Sequence, residues 1–165
     1  EHIYRMSGHD YMAQLAHDLG DIPYKPDGGI SVIRLAQAGR KSSSSTQICI
    51  VYAVHGWGGA RTIGAKIKKT EDLASVAEAD CYILSHDHTQ AIHRLNVLTV
   101  SGNSAYVKIK RKLLINTGGF IRYSGYIQRK GYMPQDLGTP RIRIETKCKQ
   151  YKPGTDYYLD IHASL

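Results

Sequence analysis

Two short apolar runs, each ending in histidine, constrain this chain more than anything else in it. Residues 48–54 read Ile-Cys-Ile-Val-Tyr-Ala-Val and stop at His55. Cys81–Leu84 stops at Ser85-His86-Asp87-His88. Runs this short and this apolar predict strands buried on both faces. Residues 66–78 lie between them and predict a helix, with Ile67, Leu73 and Val76 as its apolar marks and a break near Thr70. Strand, helix, strand is a βαβ outline, and its crossover makes the two strands parallel. Parallel strands end on one side of the sheet, where ligand sites of α/β sheets gather. Neighbouring strands are about 4.8 Å apart, so His55, His86 and His88 are expected to converge. Neutral imidazoles in that arrangement suit Zn, Mn, Fe or Ni. A lone histidine at a strand end is ordinarily a surface residue, so the metal expectation rests on all three together.

The rest of the chain frames this unit. Residues 10–19 predict a helix capped by Asp10, with Met12, Leu15, Ala16 and Leu19 on one face and Gly20 at its stop. Residues 21–29, with Pro23, Pro26 and Gly28-Gly29, predict a loop, and residues 30–36 a strand. Residues 38–46, with four consecutive serines, predict a polar turn. Beyond residue 90 the pattern turns to antiparallel β. Residues 91–100 and 105–115 predict a hairpin about Ser101-Gly102-Asn103, and residues 141–149 and 157–161 two further strands. The expectation is a mixed α/β chain in one domain over residues 1–165. Residues 1–90 form its α/β part with the histidine loops, and residues 91–165 are mainly antiparallel.

Charge separates the same halves. Residues 1–80 hold 9 basic and 9 acidic side chains; residues 81–165 hold 13 basic against 5 acidic, the whole of the +8 net charge. Such a field favours anionic partners. Cys49, Cys81 and Cys148 match neither a disulfide framework nor a zinc ribbon, which predicts a reducing, cytoplasmic setting. No apolar run reaches the roughly 18–20 residues of a membrane-spanning helix.

The histidine motifs resemble the last two metal motifs of the calcineurin-like metallophosphoesterases. Val54-His55-Gly56 is similar to that family's lone histidine, and Ser85-His86-Asp87-His88 to its Gly-His-x-His, with serine replacing glycine. Ile115-Asn116-Thr117-Gly118-Gly119-Phe120 resembles the strand exit that follows. The resemblance covers residues 48–120. It implies a layered β-sandwich flanked by helices and two divalent metal ions. His55 and His86 would sit on the second ion and His88 on the first. The reaction implied is hydrolysis of phosphoesters, with nucleotides or nucleic acid among the substrates. Asp87 is expected to face solvent or contact backbone. Arg61 and Arg94 are candidate phosphate contacts, since a guanidinium offers a forked donor set.

The family's first metal motifs, Asp-x-His, Gly-Asp-x-x-Asp and Gly-Asn-His-Asp/Glu, have no counterpart in order. Asp160-Ile161-His162 spells Asp-x-His at the far end, out of place. The expectation is therefore a C-terminal half whose preceding segment, in cis or as a second chain, carries the carboxylates, with Glu1 at or near the end of Gly-Asn-His-Asp/Glu. Alone, such a half is expected to be inactive. Two alternatives remain open. A metallo-β-lactamase-like site would need Asp and His where Gln90 and Ala91 stand, and His93 is offset. A basic nucleic-acid-binding module would draw on Lys108-Ile109-Lys110-Arg111-Lys112 and the tyrosines of the second half.

Overall fold

A computed structural model describes residues 7–20, 22–36, 46–100, 107–151 and 154–165. The serine-rich turn, the tip of the predicted hairpin and the segment around Glu1 lie outside the described residues. Helix α1 is Tyr11–Asp18, and strands β1 (Gly29–Leu35) and β2 (Gln47–Val54) follow. Helix α2 (Ile63–Asp72) runs into a 3-10 turn, Leu73–Ser75, and leads to β3 (Cys81–Leu84). Then come β4 (Gln90–Val100), β5 (Val107–Thr117), the short helix α3 (Gly125–Arg129), β6 (Arg141–Tyr151) and β7 (Gly154–Ser164). The chain is mixed α/β, with a five-stranded mixed sheet and few helices.

The sheet order is β1-β2-β3-β5-β4. The predicted crossover is present: β2 and β3 are parallel, with Val51 opposite Cys81 and Val54 opposite Leu84. β3 is also parallel to β5, while β1 and β4 pair antiparallel at the two edges. Asp80 fixes the centre. Its amide donates to Ile50 O at 2.8 Å, its carboxylate accepts from Ile50 N at 2.8 Å, and its carbonyl accepts from Leu113 N at 2.9 Å. One residue thereby stitches β3 to both neighbours before the ladders begin.

Side chains of β3 and β5 alternate between two cores, as a period of two requires. Tyr82, Leu84 and Leu114 face Leu73 and Ala79, with Ile50, Tyr52 and Val54 packed alongside. Cys81, Leu113 and Ile115 face the β6–β7 hairpin through Ile142, Ile161 and Ala163. The five-stranded sheet is thus layered between α2 and a two-stranded sheet.

Three expectations need correction. α2 begins at Ile63 because Thr62 caps it, its hydroxyl accepting from Ala65 N at 3.3 Å, and it runs unbroken through Thr70. Its buried residues are Lys66 and Thr70, while Val76 is 70% exposed. β2 is not buried on both faces, since only Cys49 is fully covered and Ile48 is half exposed. The Asp10 cap of α1 holds, accepting from Met12 N at 3.0 Å and Ala13 N at 3.1 Å. Yet α1 buries none of its residues, so Met12 and Leu15 enter no core among the described residues.

Candidate metal centre

His55 follows directly on β2, and His86 to His88 follow β3 by way of Ser85. The ladder continues one step past the strands, with Ser85 N donating to Val54 O at 3.3 Å. The chain turns sharply at Gly56, with φ 81°, and a Cβ there would lie 2.6 Å from Leu84 Cδ1. That close approach returns the imidazole of His55 to His86. The two rings meet edge to face at 4.9 Å, with His55 Nε2 and His86 Nδ1 2.9 Å apart. His86 and His88 both adopt left-handed backbone, φ 69° and 52°, a region that histidine visits more readily than most residues but that remains uncommon. Two left-handed residues flanking Asp87 turn both rings to one side, their centroids 6.4 Å apart.

Beneath these rings lies a set of buried polar groups. Lys66 of α2 is 5% exposed. Its ammonium donates to Asp87 O at 3.0 Å and to the hydroxyl of Thr89. Lys69, one turn on, donates to Trp57 O at 2.8 Å and Gly58 O at 3.1 Å, and lies 3.5 Å from Asp87 Oδ1. Both histidine loops are thus tied to one helix. Asp87 is 2% exposed, so the expectation that it faces solvent is wrong. Nor does its side chain contact backbone: Oδ1 lies 3.5 Å from Lys69 Nζ, and the buried Oδ2 has no hydrogen-bond partner. Asn116 completes the floor, accepting from Thr70 Oγ1 at 3.0 Å and donating to Lys66 O at 3.4 Å.

Burial sets the electrostatics. Desolvation holds the Lys66 pKa below the usual lysine value, the nearby Lys69 charge adds to this, and Asp87 opposes it. Desolvation also lowers the pKa of His88, reinforced by His86 and Lys66. His88 therefore stays neutral over more of the pH range, and the neutral ring is the form that ligates a cation. Its ring sits against Tyr132 at 5.2 Å. Gly119 passes so close that a Cβ would lie 2.7 Å from His88 Nδ1.

At 2.9 Å, His55 Nε2 and His86 Nδ1 are within hydrogen-bonding distance of each other, one ring serving as donor and the other as acceptor. Among the described residues, no group of three or more His, Cys, Asp or Glu side chains is arranged to hold a metal.

The two arginines stand differently. Arg61 is exposed just before the cap of α2. Arg94 lies on β4 opposite Leu113, and its Nη2 is 3.3 Å from His162 Nδ1 on β7. Asp160 bonds His162 Nε2 at 2.8 Å and also pairs with Lys147. His93 is exposed on β4, opposite Leu114. In the basic run of β5, Lys110 pairs with Glu78 and Asp80, each at 3.1 Å, and Lys112 pairs with Glu78 at 2.8 Å. Half of that run's four cations are therefore engaged within the chain. Lys66, Lys69 and Tyr132 carry no signal in the sequence that marks them as neighbours of the histidines.

No family model matches the chain, and neither a curated protein nor a solved structure gives a significant match. Among the described residues, no helix is long and apolar enough to cross a membrane.

Proposed function

We propose that this chain is a metallophosphoesterase-type half domain, carrying the histidine side of a dinuclear centre that hydrolyses phosphoesters. The observation behind this reading is the 2.9 Å approach of His55 Nε2 to His86 Nδ1, with His88 on the adjoining turn. In it, His55 and His86 hold one divalent ion and His88 the other. Mn, Zn, Fe and Ni all accept imidazole. Two such ions clamp a phosphate and activate water for in-line attack. The chain's own residues orient the rings: Lys66 and Lys69 hold the loops, and Gly119 leaves room for His88. Three neutral imidazoles do not balance two divalent cations. The carboxylate ligands therefore come from a segment outside the described residues or from a second chain, and without them the chain is inactive. Arg61, exposed beside the glycine-rich loop, is the candidate phosphate contact. The free, buried thiols of Cys49 and Cys81 suit a cytoplasmic setting.

The test is Mn2+ titration monitored by NMR. Selective broadening of the His55 and His86 ring resonances at low stoichiometry supports the reading. Uniform broadening, or none, overturns it. In the natural full-length gene product, Mn2+-dependent cleavage of bis(p-nitrophenyl) phosphate that is lost in His86→Ala completes the case.

A further inference from the structure

Two loops meet over the histidines. A Cβ on Gly58, in the loop after β2, would lie 3.4 Å from His86 Nε2 and 3.6 Å from the hydroxyl of Tyr132. Tyr132 belongs to the segment that follows β5, and its ring stands edge-on to His88. Ile121 and Tyr123 of that segment line the same side of His88. The gap they leave is about 10 Å3, the room of one water. On that side a ligand is held by the open rim, not by an enclosing pocket.

The rim is cationic. Arg61 of the first loop and Arg122, Arg129 and Lys130 of the second are all exposed. Residues 28–70 contain no Asp or Glu, and neither do residues 88–135. Asp87 is the one carboxylate in the histidine turn, but it is 2% exposed and lies 3.5 Å from the ammonium of Lys69. It offsets the buried lysine and leaves the surface charge of the loops unbalanced. A lone exposed arginine is ordinary. These cations stand to both sides of one centre, Arg61 beyond His55 and the other three on the His88 side. A single phosphate at the imidazoles occupies the centre alone. Cations on either side of it match the phosphates that precede and follow it along a strand. Contacts of this kind position a backbone and read no sequence.

We propose that this rim is a track for the phosphodiester backbone of a nucleic-acid strand, so that the centre acts on an internal phosphodiester of a polymer and not on a free nucleotide. The proposal rests on the reading of the histidines as a reacting centre for phosphoesters.

The probe is a labelled oligothymidylate, its binding to the chain followed by fluorescence anisotropy in EDTA between about 50 and 200 mM salt. Affinity is expected to fall steeply with salt. Arg61→Gln, Arg122→Gln and Arg129→Gln, all at exposed positions, are each expected to lower the log–log slope by about 0.7, the scale of one phosphate contact on a single strand. Arg34→Gln and Lys108→Gln serve as controls. Arg34 pairs with Ile48 and Lys108 with Thr99, at the end of the sheet away from the histidines, and both variants should keep the natural slope. Thymidine monophosphate that binds as tightly as the oligomer overturns the track. So does a slope that the rim variants leave unchanged, or that the two controls lower equally. Mn2+ broadening of the His55 and His86 rings without salt-dependent oligomer binding overturns the track and leaves the metal reading standing. Rim-dependent binding without that broadening sinks the metal reading, and with it the strand's role as substrate, while leaving a nucleic-acid surface in place.

Discussion

The ammonium of Lys66, on α2, donates to the main-chain oxygen of Asp87 at 3.0 Å from a position where it is only 5% exposed. A lysine is here the fastening between a helix and the turn that presents two histidines. Lys66→Met keeps the volume and removes the donor, leaving Asp87 O with only the 3.3 Å bond from the Thr89 hydroxyl and the buried Thr89 oxygen with no donor. Such an orphaned acceptor costs about 1–3 kcal/mol. Lys68→Met, which removes only exposed pairs with Glu71 and Asp72, is expected to cost under about 0.5 kcal/mol. Urea unfolding of the two variants side by side checks the contrast.

Gly119→Ala should act on the ring rather than the backbone. Its Cβ would meet His88 Nδ1 at 2.7 Å, so the imidazole must move. Overpacking of this kind costs about 1–3 kcal/mol. The expected signature is a displaced His88 resonance with those of His55 unchanged. Matching spectra for variant and natural chain would contradict it.

Metal ligation by His55 and His86 predicts that either alanine variant loses more than the about 10–100-fold in affinity typical of removing a ligand's supporting partner. His93→Ala, at an exposed site on β4, should leave affinity unchanged. Calorimetric titration with Mn2+ in the three variants separates the cases.

Thiol chemistry offers a check on the core. Burial pushes the Cys49 thiol up to about 11 and Cys81 to about 12, with Asp80 contributing to the first and Cys49 and Asp80 to the second. Thiolates are the reactive form. One thiol, exposed Cys148, should therefore react with a maleimide in the native protein at neutral pH, and all three in denaturant. Rapid native labelling of Cys49 would show that β1 leaves β2 readily.

Acid should loosen the hairpin layer. The Asp160 carboxyl lies below the usual carboxylate range because Lys147 bonds it, with His162 adding to the effect. Its stabilising contribution is present above the ordinary aspartate pKa of about 3.9 and fades as pH falls through its own lower value. Asp160→Asn should flatten that acidic limb. A limb that keeps its slope in the variant would assign the loss to another carboxylate.

The crossover was legible because its signal is local. Apolar residues 48–54 and 81–84 are too short for helices, and a helical stretch between them forces parallel pairing. The antiparallel pairing of β4 with β5 was legible from the equally local turn signal Ser101-Gly102-Asn103. The underside of the histidine turns was not. Lysine on a helix ordinarily reads as solvent-facing, and only the three-dimensional course of residues 85–89 shows that Lys66 and Lys69 face inward. Asp87 was misread by the same logic, since a charged residue between two turns looks exposed until cations are found beneath it. Arg94 was assigned towards phosphate from its place after the histidines. Its partner His162 lies on β7, and no pattern near residue 94 could have named it.

The left-handed backbone at His86 and His88 has a consequence for anyone redesigning this chain. Glycine is the residue that such torsions favour, and a procedure rewarded for folding energy alone would write glycine at both places. The resulting protein would be easier to make and would have no imidazoles at the end of β3. Positions 86 and 88 are where robustness and chemistry pull in opposite directions, and a library built for tolerance to heat should hold both fixed.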